Sequence, residues 1–339
     1  MSEVLRSLFL SLNMRNRYFG TRGLSNYSLS CCVNTLLQTF SATWEVGDLL
    51  AKWDASGVGG DGRNVALQLK KVLAGMRSER PQQDPHREFL HSLDRNCIRF
   101  FMQHDADEVF LFILNFMQQQ MDDKPLALEL QDLYKISLET HLQCLECDSV
   151  QTLTSYMLSL SLHIQEKGDS LENCMTSFFQ QQKLTGRNCW FCEKCEKKTP
   201  SKQAFRLLSL PRILCVHLKR FRYRGGFTQK LDCVVTFPET FDFSETLEEA
   251  FSSDFAQNDC KYTLHAVVVH SGYATCGHYT AYVRDRGTQR WCYVDDSHVQ
   301  ESSWEDVQKT YGECRRVTAY MLMFRRDSKE DGRQPELSG

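Results

Sequence analysis

Cys31 stands where a helix is predicted to begin, and that position suits a nucleophile. Turn-forming residues precede it, and apolar residues then recur at the spacing of one helix face: Val33, Leu36, Leu37 and Phe40. Ser30 is well placed to cap this helix. Unpaired N–H groups in a first helical turn favour a thiolate, which is the attacking form of cysteine. Cys31 is therefore a candidate nucleophile, and the alternative is a small buried apolar residue.

His278 and Asp295 form a candidate base and its partner. A strand is predicted over Tyr279–Val283, a loop over Asp285–Gln289 and a second strand over Trp291–Val294. Two strands joined by a short loop pair as a hairpin, which puts His278 beside Asp295. A carboxylate stabilises the imidazolium form of histidine, and this cation can pair with a thiolate. For this pair alone, the alternative is a strand histidine and a turn aspartate without a catalytic role.

Four further cysteines occur as two pairs, Cys144-x-x-Cys147 and Cys192-x-x-Cys195. Four thiolates in a tetrahedral arrangement are the ligand set of a structural zinc site. The long separation between the pairs implies that each sits on its own hairpin. Zinc binding is the favoured interpretation, and the nearby Cys189 is interpreted as incidental.

The composition is that of an ordinary globular chain, with 339 residues, 42% hydrophobic, 24% charged and a formal net charge of −3. A nearly neutral chain gives no support for nucleic-acid binding. No apolar run approaches the ~18 residues that span a bilayer, so membrane insertion is not expected. Residues 1–20 are predicted to be a short lead without a secretory signal. The fifteen cysteines are therefore expected to be reduced, in a protein of the cytoplasm and also of the nucleus.

Helices are predicted first and strands later along the chain, which indicates an α+β fold. A helix over about 105–120 has apolar residues around most of its circumference and is predicted to be deeply buried. Strands are predicted over Ile213–Leu218, Leu264–His270 and Tyr320–Phe324, in addition to the two strands beside His278.

Two regions resemble the catalytic boxes of the ubiquitin-specific protease family. Residues 23–38 (GLSNYSLSCCVNTLLQ) resemble its cysteine box, Gly-Leu-x-Asn-x-Gly-x-Thr-Cys-x-x-Asn-x-x-x-Gln. Residues 270–283 (HSGYATCGHYTAYV), together with 291–299 (WCYVDDSHV), resemble its histidine box. Cys31 therefore lies in one catalytic box of this family, and His278 and Asp295 lie in the other.

Other segments extend this resemblance over about residues 21–325, in family order. Residues 103–114 (QHDADEVFLFIL) are similar to the Gln-x-Asp-Ala-x-Glu box. Residues 210–221 (LPRILCVHLKRF) and 319–324 (AYMLMF) are similar to the core strand and the last strand. Nearly the whole chain is thus covered by the resemblance.

The resemblance implies a papain-like cysteine protease fold, shaped as an open hand with a helical thumb, a mixed palm and β-stranded fingers. The thumb is expected at about 21–130, the fingers within about 135–235, and the palm in the remainder. The catalytic domain over 21–325 is then preceded by the lead and followed by a polar, disordered tail over 326–339.

The resemblance also implies a role for each residue that matches the catalytic boxes. Cys31 is the nucleophile, His278 is the general base and Asp295 orients it. Asn26 donates to the oxyanion of the tetrahedral intermediate, and Asp296 supports that oxyanion hole.

Ser28 and Ser30 depart from the family pattern, which has glycine and threonine at these positions. Glycine permits backbone geometry that serine tolerates less well, so the loop before Cys31 is where the expected activity is least secure. Asp105, Asp107 and Glu108 either pair with arginines of a substrate tail or form a solvated helix start.

The resemblance further implies one structural zinc ion held by the two cysteine pairs, and no catalytic cofactor. The expected substrate is a conjugate of ubiquitin or a ubiquitin-like modifier. The fingers hold the body of the modifier, and the cleft between thumb and palm takes its Arg-Gly-Gly tail.

The Cys31-Cys32 doublet and the segments 171–179 and 303–312 narrow the resemblance to an interferon-induced branch of the family. That branch removes a two-domain, interferon-stimulated ubiquitin-like modifier and restrains type I interferon signalling. Its mammalian members have asparagine in place of Asp295, which implies a non-mammalian vertebrate member here. Three functions stay open: a protease selective for that modifier, a general deubiquitinase, and mainly a non-catalytic adaptor at the type I interferon receptor complex.

Overall fold

The computed structural model describes most of the chain, namely residues 17–18, 21–59, 62–78, 84–247, 250–252, 255, 260–312 and 316–327. The predicted lead over 1–20 and the predicted tail over 326–339 lie almost entirely outside these residues. Within the described part of the chain, no helix is both long and apolar enough to cross a bilayer.

Helices dominate the first part of the chain and are fewer and shorter beyond it. They are α1 (Cys31–Ala42), α2 (Trp44–Lys52), α3 (Val65–Arg77), α4 (Arg87–Arg95), α5 (Ala106–Gln120), α6 (Lys124–Asp132), α7 (Leu171–Phe179), α8 (Phe243–Thr246) and α9 (Trp304–Gln308). The predicted apolar face of α1 is confirmed, since Leu36, Leu37 and Phe40 are fully buried.

Two details of these helices contradict the sequence prediction. Ser30 stands at the N-cap of α1 without capping it, and its hydroxyl instead accepts a hydrogen bond from the Tyr27 amide at 2.9 Å. On α5, Phe112 is 49% exposed and stacks on the half-buried Phe116. The prediction of a deeply buried α5 was wrong on this face, because an apolar pattern does not reveal which faces other elements cover.

Short strands fill the rest of the chain. In chain order they are β1 (Arg17–Tyr18), β2 (Thr21–Arg22), β3 (Ile136–Cys144), β4 (Val150–Met157), β5 (Leu160–Leu162), β6 (Asp169–Ser170), β7 (Gln182–Leu184), β8 (Trp190–Cys192), β9 (Lys197–Thr199), β10 (Ser201–Ser209), β11 (Ile213–Leu218), β12 (Phe221–Arg224), β13 (Phe227–Lys230), β14 (Val235–Thr236), β15 (Thr240–Asp242), β16 (Lys261–Gly272), β17 (Gly277–Arg284), β18 (Trp291–Asp295), β19 (His298–Ser302) and β20 (Val317–Arg326). The predicted strands are confirmed as β11, β16, β17, β18 and β20, several of them longer than predicted.

A central sheet carries the later strands in the order β19-β18-β17-β16-β20-β11-β5, with β15 also paired to β16. Neighbours along this path are antiparallel except β11 and β5, which run parallel. A second, four-stranded sheet has the order β4-β3-β10-β7, and β8 pairs with β9 as a separate hairpin. The chain is thus an α+β protein with helices first and two β-rich regions after them.

The central sheet is covered on both faces, which explains its nearly continuous apolar strands. Along β16, Ala266 and Val268 pack into the same core cluster as the apolar residues of α1 to α6. The alternate residues Val267 and Val269 pack into a second cluster that includes residues of α7. The helical layer and the sheet therefore share one buried interface, and α1 lies against β16 and β17.

Arg220 ties the end of β11 to its surroundings from a fully buried position. Its guanidinium donates to four backbone carbonyls at 2.7–3.2 Å, those of Ala319, Leu231, Cys233 and Tyr311. Because the carbonyls belong to three segments of the chain, one side chain joins β20, the loop between β13 and β14, and the region following α9. A buried cation is tolerated here because its N–H groups find acceptors.

Replacing Arg220 with methionine should destabilise the fold strongly. Methionine fills a similar space but leaves four buried carbonyls without donors, so we expect a loss of about 3 kcal/mol or more in the free energy of unfolding. Urea unfolding followed by circular dichroism measures this loss. The control is Arg224→Met, since the Arg224 side chain is 77% exposed and its loss should cost less than about 0.5 kcal/mol. Equal stability of the two variants would contradict the assignment.

Candidate active site

Cys31 is the first residue of α1 and lies in the interface between the helical layer and the central sheet. It is only 6% exposed, and its thiol lies close enough to the imidazole of His278 to raise the pKa of that ring. Cys32, the next residue, is also buried and points into the core, where burial raises the pKa of its thiol well above the usual value. Of the doublet, Cys31 is the one that lies beside His278.

His278 and Asp295 are brought together as predicted. His278 is the second residue of β17, Asp295 is the last residue of β18, and the two strands pair antiparallel. The distance from His278 Nε2 to Asp295 Oδ1 is 2.6 Å. This hydrogen bond, with a smaller contribution from the nearby Cys31, raises the pKa of His278 to about 10, and it lowers the pKa of Asp295. The imidazolium form therefore persists through neutral pH and can stabilise a thiolate on Cys31.

Asn26 and Asp296 lie beside this group and hold each other. Asn26 Nδ2 donates to Asp296 Oδ2 at 2.7 Å. The other carboxylate oxygen of Asp296 accepts from Asn34 Nδ2 at 2.8 Å. Asp296 has a φ of 48°, in the left-handed region where aspartate is enriched among non-glycine residues. Asn34 thus holds the Asp296 carboxylate in place, and that carboxylate holds the Asn26 amide. The sequence did not reveal this role of Asn34.

The loop before Cys31 has the strained geometry that the family pattern suggests. Ser28, where the family pattern has glycine, has a φ of 65°. Ser30 donates twice to the side-chain oxygen of Asn26, from its amide at 3.2 Å and from its hydroxyl at 3.3 Å. The orientation of the Asn26 amide is therefore set from both ends, by Ser30 on its oxygen and by Asp296 on its nitrogen.

The acidic residues at the start of α5 do not behave as one group. Asp107 is buried, accepts from Ser159 Oγ at 2.6 Å and lies 3.1 Å from His217 Nδ1. For Asp107, the predictions of a solvated helix start and of pairing with a substrate arginine are both wrong, because its carboxylate is neither solvated nor open to a substrate. Asp105 caps α5 and accepts from the Tyr320 hydroxyl. Glu108 is exposed and stays a candidate for binding an arginine.

The four paired cysteines meet beyond the end of the four-stranded sheet, as predicted. One pair lies at the β3–β4 turn and the other at the β8–β9 turn, and their Sγ atoms lie within 4.8 Å of one another. Cys144 and Cys195 are 3.9 Å apart, and Cys147 and Cys192 are 3.6 Å apart. Zn–S bonds of about 2.3 Å in a tetrahedron separate the sulfurs by about 3.8 Å, so this set fits a zinc ion.

Neighbouring hydroxyl groups favour the thiolate form that a metal ion binds. The Thr199 hydroxyl lies 3.2 Å from Cys144 Sγ, and its hydrogen bond lowers the pKa of Cys144 to about 6. Ser149 acts in the same way on Cys192 and lowers its pKa. These contacts, together with the sulfur spacing, support a structural zinc ion that would cross-link the two hairpins.

Removal of one ligand should abolish metal binding at this cluster. We expect one zinc ion per chain in the purified protein by atomic absorption, and none in Cys144→Ser. Because a bound metal stabilises the fold that binds it, chelation should also lower the melting temperature. The matched control is Cys189→Ser, a free thiol in the same region but outside the cluster, which should retain the metal. Zinc-free protein that melts like the zinc-treated sample would contradict the site.

Comparison with known proteins places these features in one family. The family model "Ubiquitin carboxyl-terminal hydrolase" matches residues 22–324. The chain is 35% identical to "Ubl carboxyl-terminal hydrolase 18" of Mus musculus and 33% identical to that of Homo sapiens, in each case over 315 residues that cover 90% of this chain and 85% of the relative. It is also 24% identical to "Ubiquitin carboxyl-terminal hydrolase 47" of Drosophila melanogaster, over 92% of this chain and 25% of that relative. The chain therefore belongs to the ubiquitin carboxyl-terminal hydrolase family and is a cysteine-type deubiquitinase of papain-like fold.

Proposed function

We propose that this protein cleaves the isopeptide bond after the C-terminal Gly-Gly of a ubiquitin-like modifier, with Cys31 as its nucleophile. The observation that carries the proposal is the group formed by Cys31, His278 and Asp295, in which one imidazole is hydrogen-bonded to a carboxylate at 2.6 Å and lies near a thiol at the start of α1. This is the arrangement that activates a cysteine for acyl transfer.

Catalysis begins with attack of the Cys31 thiolate on the carbonyl carbon of the terminal glycine. His278, held as imidazolium by Asp295, gives its proton to the departing lysine amine. A thioester between Cys31 and the modifier remains. His278, now neutral, takes a proton from water, the resulting hydroxide attacks the thioester, and the modifier leaves with a free carboxylate.

Asn26 serves the oxyanion that forms in both steps. One N–H of its side-chain amide is used by Asp296, and the amide carries a second N–H that can donate to the oxyanion. The side chain is exposed, and the amide is held from both ends by protein groups. A donor that is already oriented needs no reorganisation when negative charge develops on the substrate oxygen.

The modifier that we propose is the two-domain, interferon-stimulated ubiquitin-like protein. Two observations support it over ubiquitin. The relatives that match 85% of their own length are named for ubiquitin-like (Ubl) substrates, and they are more similar to this chain than the relatives named for ubiquitin. A role in restraining type I interferon signalling is also part of this proposal, and it rests on the resemblance of the Cys31-Cys32 doublet and of residues 171–179 and 303–312 to the interferon-induced branch of the family.

Ubiquitin itself is the second candidate substrate. The relatives named "Ubiquitin carboxyl-terminal hydrolase 47" match 90% or more of this chain, although the chain covers only about a quarter of their length. A common Gly-Gly tail would enter the same cleft, so selectivity has to come from surfaces that contact the body of the modifier.

Turnover of the two modifiers as C-terminal fluorogenic amides separates these candidates. We expect kcat/KM for the interferon-stimulated modifier to exceed that for ubiquitin by at least about 100-fold, which corresponds to about 2.8 kcal/mol of differential binding. Cys31→Ala should abolish turnover of both, while Cys189→Ser should leave both unchanged. Equal efficiency on both substrates would overturn the selectivity, and activity that survives in Cys31→Ala would overturn the nucleophile.

Asp295→Asn should shift the pH dependence of the reaction. The carboxylate raises the pKa of His278, so its loss should lower that pKa and move the alkaline limb of the profile to lower pH, by about 1–3 units. Asparagine still accepts the ring N–H, so we expect kcat/KM at pH 7 to fall by less than about tenfold. Titration of the His278 imidazole from pH 5 to 11, followed by NMR, reports the same ionisation without a modifier. An alkaline limb that does not move would contradict the role of Asp295.

A further inference from the structure

Gln103 makes a paired contact with the strand that carries His278. It lies in the loop before α5, and its side-chain amide bonds both backbone groups of Gly277. Gln103 Nε2 donates to Gly277 O at 2.8 Å, and the Gly277 amide donates to Gln103 Oε1 at 3.0 Å. The two residues are 174 positions apart in the chain. One amide thus pairs with Gly277 as a neighbouring strand would.

Gly277 is held on its other side as well. It is the first residue of β17 and pairs with Gly272 of β16, at the end of the hairpin. A Cβ atom at position 277 would lie 2.1 Å from His270 Nε2. The backbone therefore passes between the imidazole of His270 and the amide of Gln103, with no room for a side chain.

Without Gln103, the position of His278 would depend on the backbone pairs at the end of the β16–β17 hairpin. The ladder between β16 and β17 finishes at Gly272 and Gly277, next to a largely exposed turn over residues 273–276, and exposed backbone pairs open more readily than buried ones. His278 is the next residue, and its ring must meet a thiol on α1 and a carboxylate on β18. Small displacements of such a group are costly, since a misplacement of about 1 Å can lower a rate on the order of 100-fold.

Hydrogen bonds within and next to the helical layer anchor the segment that carries Gln103. Two residues later, Asp105 caps α5 and accepts a hydrogen bond from the Tyr320 hydroxyl of β20. His104 bonds the carbonyl of Arg99 at 2.6 Å, which closes the loop on itself. The clamp therefore connects two elements that are anchored separately, the start of α5 and the start of β17.

We propose that Gln103 is a positioning residue: by clamping the Gly277 backbone it holds His278 in register with Cys31 and Asp295. The proposal rests on the roles assigned to these three residues under the proposed function. Gln103 is exposed, and hydrogen bonds at an exposed position contribute little to global stability. Its loss should therefore affect the chemical step much more than the fold.

The test is Gln103→Ala, assayed on the C-terminal amide of whichever modifier the wild-type protein cleaves. We expect kcat to fall by about 10–100-fold while KM changes by less than about twofold. The pKa of the His278 imidazole, followed by NMR, should fall, because a displaced imidazole loses part of its bond to Asp295. A purely structural residue would not produce this shift. The matched control is Gln119→Ala, an exposed glutamine of α5, which should change none of these quantities.

Gln103→Glu keeps the side-chain length and the acceptor for the Gly277 amide, but it loses the donor to the Gly277 carbonyl. We expect its kcat to lie between those of wild type and Gln103→Ala, with an unchanged melting temperature. Wild-type kcat in Gln103→Ala, or a loss confined to KM, would overturn the inference. Activity that survives in Cys31→Ala would instead overturn the proposed function, so the two failures are distinguishable.

Discussion

The site depends on the buried contact between α1 and the central sheet. The nucleophile belongs to a helix and the base to a strand, and 247 positions separate Cys31 from His278 in the sequence. Only the packing of α1 against β16 and β17 brings the thiol to the imidazole. Leu36, Leu37 and Phe40 are fully buried in this interface. Apolar residues without a chemical role therefore position the thiol and the imidazole. Close packing leaves such an interface little freedom to slide.

Electrostatics at the site follow from this geometry. The carboxylate of Asp295 raises the pKa of His278 to about 10, which favours the imidazolium form of the ring at neutral pH. Asp296, the adjacent residue in the chain, points its carboxylate elsewhere, between the amides of Asn26 and Asn34. Its left-handed φ of 48° turns the backbone between the two carboxylates. Two neighbouring aspartates thus bind separate groups: Asp295 bonds His278, the proposed base, and Asp296 bonds Asn26, the proposed oxyanion donor.

The parts of the fold and the site that depend on neighbouring residues in the sequence could be predicted. β11 was predicted with its observed ends, and the hairpin spacing placed His278 beside Asp295. The cysteine pairs were placed on two hairpins because the ligand chemistry demands it. The failures have a common cause: Asp107 was interpreted as a solvated or tail-binding acid, but Ser159 and His217 enclose it. Asn34 and Gln103 act on partners 262 and 174 positions away, and no periodicity within one element reports such contacts.

The loop before Cys31 shows how a departure from the family pattern can be accommodated. A serine in the left-handed region costs roughly 1–2 kcal/mol relative to glycine, and Ser28 has this conformation. The loop gains three hydrogen bonds around it, from the Tyr27 amide to Ser30 Oγ and from the Ser30 amide and hydroxyl to Asn26. Each is worth about 1 kcal/mol, so together they are sufficient to hold the turn. Ser30 takes part in all three, which gives a reason for its failure to cap α1: the hydroxyl that would cap the helix instead bonds Tyr27 and Asn26.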